Sequence, residues 1–159
     1  MTRSAIVLVV DRLGTGCLGP YGNTWVPTPN FNALAAQSTV FVNALSDAPD
    51  LSHTCRAWWE GKHALETGDA ANSSETLLDK LAGANVATTL LTDDSSLAEA
   101  SATDQFNEKR LLNLPPPTAL AEDVEQTAMA SVFAEGIDAL SQQQSPFLFW
   151  MHARGMAAP

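Results

Sequence analysis

Four places in the 159-residue chain bring together side chains that can do chemistry. Asp11 follows directly on an apolar run over 5–10 and is itself followed by Leu13, Gly14, Gly16, Gly19, Pro20 and Gly22. A carboxylate at the carboxyl end of a buried strand, with a flexible glycine-rich segment after it, is the arrangement in which open α/β sheets bind ligands. The same residue type also simply ends strands and caps turns. His53 and Arg56 lie on a helical stretch over 51–60. Asp93 and Asp94 stand just past a second apolar run, over 86–91, and His152 ends a third, over 147–151. Hard cations prefer oxygen ligands, which three carboxylates on one sheet edge can supply. Asp93 and Asp94 read equally well as a solvated acidic turn.

The elements that must position these groups follow from the spacing of the apolar residues. Residues 5–10 are unbroken, apolar and mostly β-branched, and read as a strand buried on both faces. Thr28 and Pro29 suit the cap and first position of a helix, and Phe31, Leu34 and Ala35 recur at helical spacing, predicting a helix over 29–37. Residues 39–45 are β-branched and partly alternating, predicting a second strand. A turn over 46–49 leads to the 51–60 helix. Its adjacent Trp58 and Trp59 cannot share one face, so one packs inward and the other covers a neighbouring element.

Further on, 69–74 reads as a polar loop and 75–84 as a helix with Leu77, Leu78 and Leu81 inward. Residues 86–91 make a third strand, and 97–117 is weakly patterned and closes with three prolines. Thr118 opens the longest helix, with Leu120, Val124, Ala128, Val132 and Leu140 along one side and Met129, Phe133 and Ile137 beside them. Residues 147–151 form a fourth strand ending at His152. Strands alternating with helices predict a parallel sheet with right-handed crossovers. One edge of that sheet gathers Asp11, the 46–56 segment, Asp93, Asp94 and His152.

Bulk properties exclude several classes. Hydrophobic residues are 45% and charged residues 16% of the chain, the balance of a globular domain. Eight basic against eighteen acidic residues give a net charge of −10, with no basic cluster to contact nucleic acid. That charge offers no long-range steering of anionic esters and suits a cation better. Cys17 and Cys55 are too few for a disulfide scaffold and are expected to be free. No segment reaches the roughly 18 apolar residues of a membrane span, and no signal peptide is visible, so the default expectation is a cytoplasmic protein without membrane contact.

Three stretches carry a family resemblance: VVDRLGTGCLGPYG, then VPTPNFNALAAQSTVFVNAL, then APDLSHTCRAWWEGK. They resemble the N-terminal part of the sulfatases, members of the alkaline-phosphatase-like superfamily, whose opening reads V-D-D-L-G-x-G-D-L-G-C-Y-G followed by T-P-N-L-D-x-L-A. TLLDKLAGANVATTLL and PFLFWMHARG are similar to later family segments. The resemblance implies an α/β fold, a three-layer α/β/α sandwich around a mostly parallel sheet. The chain then stands as a single N-terminal domain over 1–159, truncated relative to the family. An uncovered sheet edge or apolar helix face, and with it self-association into a homo-oligomer, is expected.

The resemblance also implies a metal-dependent hydrolase of small-molecule sulfate or phosphate esters, with Asp11 on a divalent metal (Ca or Mg, or else Mn or Zn). Its second acidic metal ligand is replaced here by Arg12, a permanent cation that disfavours a dication and can neutralise Asp11. The family's nucleophile motif is Cys-x-Pro-Ser-Arg or Ser-x-x-x-Arg. Aligned on Arg56, it falls on S-H-T-C-R, with Ser52 at the nucleophile; aligned on Gly61, it places Leu51 there, which has no chemistry to offer. Formylglycine is not expected without the maturation motif. In the catalytic reading Asp11 holds metal, Ser52 attacks, Arg56 holds the ester anion and His152 matches a histidine of some family branches. In the bland reading Ser52 caps its helix and Arg56 pairs with Glu60. Three accounts stay open: part of a larger hydrolase, a degenerate sulfatase-like binding module without catalysis, and a phosphoesterase with a site rebuilt on Asp11, Asp93 and Asp94.

Overall fold

The computed structural model describes residues 3–46, 48–61, 63, 75–114 and 121–155. The first apolar run forms strand β1, Ala5–Val10. After two single turns of 3-10 helix come α1, Pro29–Ala35, and α2, Leu51–Glu60. Then follow α3, Leu77–Gly83, β2, Ala87–Thr92, and the short α4, Ser95–Ala98. The last elements are β3, Glu108–Leu111, α5, Ala128–Ser141, and β4, Phe147–Ala153. The four strands pair in the order β1-β4-β2-β3, all parallel. All their carboxyl ends therefore lie along one edge of the sheet.

Side chains alternate across β4 and divide the core in two. Leu148 and Trp150 pack with Cys55, Trp59, Leu78 and Leu90 on the face covered by α2 and α3. Phe149, Met151 and Ala153 pack with Val132 and Ala139 of α5 on the other. This is an α/β/α arrangement in three layers, as the alternation of elements implied. Gly136 lets α5 approach the sheet, since a Cβ there would come within 2.6 Å of the Met151 sulfur. Trp59 is buried edge-on to Trp150, and Trp58 stays half-exposed with its ring 5.7 Å from that of Trp150. The tryptophan pair thus divides its roles as adjacent helical positions require.

Several expectations from sequence are corrected. β1 is not buried on both faces: it is an edge strand, and Ile6 and Leu8 are 58% and 48% exposed. The uncovered apolar surface foreseen for the chain is found here. Residues 39–45 form no strand. Among the described residues no strand pairs with this β-branched run, and Phe41, Val42 and Leu45 are 73%, 70% and 96% exposed. β3 was missed because its four residues, Glu-Lys-Arg-Leu, read as polar. Leu77 points outward; Leu78 carries the burial of α3, which Thr76 opens with a reciprocal capping box to Asp79. The long helix begins at 128, where the Thr127 hydroxyl accepts from the Ala130 amide. Val124 sits in a separate 3-10 turn, while Thr118, Leu120 and the 69–74 loop lie outside the described residues. Thr28 precedes α1, but its hydroxyl accepts from the Gly19 amide at 2.8 Å instead of capping the helix. Both thiols are free.

Candidate functional site

A cleft of about 680 Å³ opens at the carboxyl edge of the sheet. The β1 side contributes Asp11 and Arg12, and the loop before α2 contributes Ser46. α2 contributes Leu51, Thr54 and Trp58, and β4 contributes His152.

The end of β4 fixes the Asp11–Arg12 turn. The Asp11 amide donates to the Ala153 carbonyl at 2.9 Å, one step beyond the strand ladder. Arg12 adopts φ 58°, a left-handed conformation rare for a residue with a Cβ. Gly155, at φ 64°, packs against the Asp11 carbonyl so closely that a Cβ would run into its oxygen. The turn therefore has little freedom, and it holds Arg12 Nε 3.8 Å from Asp11 Oδ2. That is the longest of the ion pairs seen among the described residues, and the Arg12 side chain is 65% exposed.

On α2, Asp50 is the N-cap, accepting from the His53 amide at 2.9 Å, with His53 Nδ1 2.7 Å from the same oxygen. The amide bond first, and then the imidazole, hold the Asp50 carboxyl below its usual range. This corrects the reading of Ser52 as the cap: Ser52 lies inside the first turn. Successive helical residues are rotated by about 100°. Leu51, Thr54 and Trp58 share the face turned to the cleft, and Ser52 and Arg56 share another that does not line it. Arg56 Nε donates to Glu60 Oε2 at 3.0 Å, the ion pair one turn on. Thr54 was passed over in the sequence, although its i, i+3 spacing from Leu51 places it on the same face. Its hydroxyl is committed locally, 2.9 Å from the Asp50 carbonyl and 3.1 Å from Ser46 Oγ.

His152 is not at the end of its strand. β4 runs on to Ala153, and His152 pairs in register with Val9 on one side and Thr92 on the other. Its side chain is fully buried, and neither ring nitrogen has a hydrogen-bond partner among the described residues. Burial holds its pKa below the ordinary value, against the pull of Asp11, Asp94 and Asp93 in the other direction. Burial, and then repulsion from Asp94 and Asp11, pushes the Cys55 thiol up to about 12.

Asp93 and Asp94 turn to the backbone. Asp93 Oδ1 accepts from the Arg154 amide at 2.8 Å. Asp94 caps α4 through the amides of Ser96 and Leu97, at 2.9 and 3.2 Å. Of the residues foreseen for the site, the cleft therefore brings together Asp11 and His152, and leaves Ser52, Arg56, Asp93 and Asp94 outside its lining. Among the described residues, no group of three or more His, Cys, Asp and Glu side chains is placed to hold a metal ion. Of the two carboxylates lining the cleft, Asp11 has a guanidinium beside it and Asp50 is engaged by the His53 amide and imidazole, so these donors do not fit a divalent metal.

No family model matches the chain. It is 36% identical over 73 residues to human arylsulfatase D, a stretch that is 45% of this chain and 12% of the relative, so the chain spans a small part of that protein. Solved structures share its fold, two of them as follows. One is the C-terminal periplasmic domain of EptC from Escherichia coli in complex with zinc, with a TM-score of 0.71 and 16% identity over 98% of this chain and 44% of that one. The other is the C-terminal periplasmic domain of the phosphoethanolamine transferase EptC from Campylobacter jejuni, with a TM-score of 0.67 and 16% identity over 100% of this chain and 47% of that one. The chain thus spans under half of either domain, and the zinc of the first is consistent with a divalent metal in this fold.

These neighbours correct the cytoplasmic expectation. Both are periplasmic domains, which points to an extracytoplasmic setting. The earlier expectation rested on seeing no leader or apolar span in these 159 residues, and such an absence places a domain nowhere. No helix among the described residues is long and apolar enough to cross a membrane. Over its matched stretch the chain is similar to a sulfatase, and along its whole length it shares the fold of the two EptC domains.

Proposed function

We propose that this chain is a sulfatase-like binding module: it takes the sulfate or phosphate group of a small-molecule ester in the cleft at the sheet edge and does not hydrolyse it. The observation that carries this reading is the rotation of α2. Leu51, which one of the two registers puts at the nucleophile position, is an alkyl side chain lining the cleft, while Ser52, which the other register puts there, lies outside its lining and Arg56 is engaged by Glu60. The one hydroxyl that α2 presents to the cleft, on Thr54, is bound to the Asp50 carbonyl that precedes its own helix. The ionisable groups that line the cleft, Asp11, Arg12, Asp50 and His152, are suited to hold a polar ligand.

Turnover of 4-nitrophenyl sulfate and 4-nitrophenyl phosphate, with and without zinc or calcium, tests the proposal. No release above background is expected, together with a rise in Tm when inorganic phosphate is added. Metal-dependent release that disappears in both Ser52→Ala and Asp11→Asn would instead establish hydrolysis, with Ser52 attacking, Asp11 on metal, Arg56 on the ester anion and His152 beside them.

A further inference from the structure

The cleft holds two features that the binding reading does not yet use: a guanidinium where the family's resemblance calls for an acidic metal ligand, and a buried imidazole without partners. We propose that Arg12 replaces the divalent cation in this cleft, so that the oxyanion is bound without metal between the Arg12 guanidinium and the His152 ring. The inference rests on the binding function proposed above and specifies its chemistry.

Three observations support it independently. First, a dication on Asp11 would lie within a few ångströms of a permanent positive charge, because Arg12 Nε is 3.8 Å from the same carboxylate. Repulsion at that range disfavours the dication, even with solvent screening. The other carboxylate lining the cleft, Asp50, is engaged by the His53 amide and imidazole, and Asp93 and Asp94 are tied to backbone amides.

Second, Arg12 is held where it is by the fold. It adopts a left-handed φ of 58°, on a turn clamped by the Asp11–Ala153 hydrogen bond and by Gly155. A strained backbone persists where its surroundings over-determine it, and such residues cluster at ligand sites. Among the described residues the guanidinium makes only the long contact to Asp11, and a planar fork of donors suits a tetrahedral oxyanion.

Third, His152 is fully buried, borders the cleft, and has both ring nitrogens unpartnered. Buried polar atoms are nearly always satisfied. A neutral imidazole presents one N–H donor, which an oxyanion oxygen in the cleft would accept. With a net charge of −10 the chain as a whole repels anions, so the attraction has to be local, as a guanidinium supplies it.

The test is calorimetric titration of the 159-residue chain with inorganic phosphate in EDTA, repeated with added zinc, and repeated for Arg12→Gln. Arg12 is exposed, so the variant is expected to fold, and its unchanged Tm confirms that. The expected result is saturable binding in EDTA, unaltered by zinc and weakened about tenfold or more in Arg12→Gln, the scale of a lost charge-assisted contact. Binding that appears only with zinc overturns the metal-free inference and leaves the binding function standing. Binding in EDTA that Arg12→Gln does not weaken overturns the role of Arg12. No binding in any condition overturns both the inference and the binding function.

Discussion

Replacing Gly155 by alanine probes how the fold holds the cleft in shape. Two costs act together. A side chain at φ 64° enters the left-handed region, at about 1–2 kcal/mol. The added Cβ also meets the Asp11 carbonyl oxygen, with the Asp11 carbonyl carbon and Val10 Cγ1 each at 3.1 Å. These are backbone and packed strand atoms, so relief requires the Asp11–Arg12 turn to withdraw and its 2.9 Å bond to the Ala153 carbonyl to break, about 1 kcal/mol more. A total of about 2–3 kcal/mol corresponds to a fall in Tm of about 4–12 °C for a chain of this size. Gly61→Ala is the control: φ is 68°, but no described residue lies within 4 Å of the added Cβ, so the conformational cost applies, about 2–4 °C per kcal/mol. Thermal unfolding by circular dichroism reads both, and phosphate titration reads the displacement of Arg12. Equal Tm losses in the two variants, with phosphate affinity unchanged in Gly155→Ala, would refute the claim that Gly155 clamps the turn.

Two further outcomes follow from the buried groups. With its thiol pushed up to about 12, Cys55 stays protonated at pH 8, so iodoacetamide is expected to modify the exposed Cys17 and spare Cys55 until denaturant is added; mass spectrometry of the digested protein reads the two sites, and early modification of Cys55 would contradict its placement. His152 is held neutral by burial, so its folded pKa lies below the unfolded value near 6.5. Below that pH the unfolded chain takes up a proton that the folded chain refuses, and stability falls as pH drops, by at most about 1.4 kcal/mol per pH unit. The carboxylates of Asp11, Asp93 and Asp94 temper the effect. Denaturant unfolding of the wild type and His152→Gln between pH 7.5 and 5.5 isolates it: the difference in stability between the two should shrink as pH falls, and a constant difference would contradict it.

How much of this was legible in the chain depended on how local its signals were. β1 and α2 were read with their observed bounds, because an apolar run stopped by Asp11 and a helix stopped by Gly61 carry their own limits. Residues 39–45 misled, since a β-branched run signals only a preference, and without a neighbouring strand it stays irregular. β3 gave the opposite error: an edge strand of charged residues carries no alternation to detect, and only the ladder to β2 reveals it. The burial of β1 failed for a related reason, because its place at the sheet edge is a property of the topology.

At the site, Asp11 and His152 were placed near one another by the parallel order of the strands alone. The choice between Leu51 and Ser52 could not be read from a motif with a one-residue ambiguity, because one residue is about 100° of helix rotation. Arg12 was noticed as a departure from the family pattern. Its left-handed backbone, which places it at the cleft, depends on contacts with Ala153 and Gly155 more than 140 positions away.

The most direct test of the account is a crystal structure of the chain grown with phosphate and EDTA. The account predicts a tetrahedral anion in the cleft, within hydrogen-bonding distance of the Arg12 guanidinium and a His152 ring nitrogen, with Leu51 and Thr54 facing it. An anion seated against Ser52 and Arg56 instead, or an ordered metal retained on Asp11 despite the chelator, would contradict it.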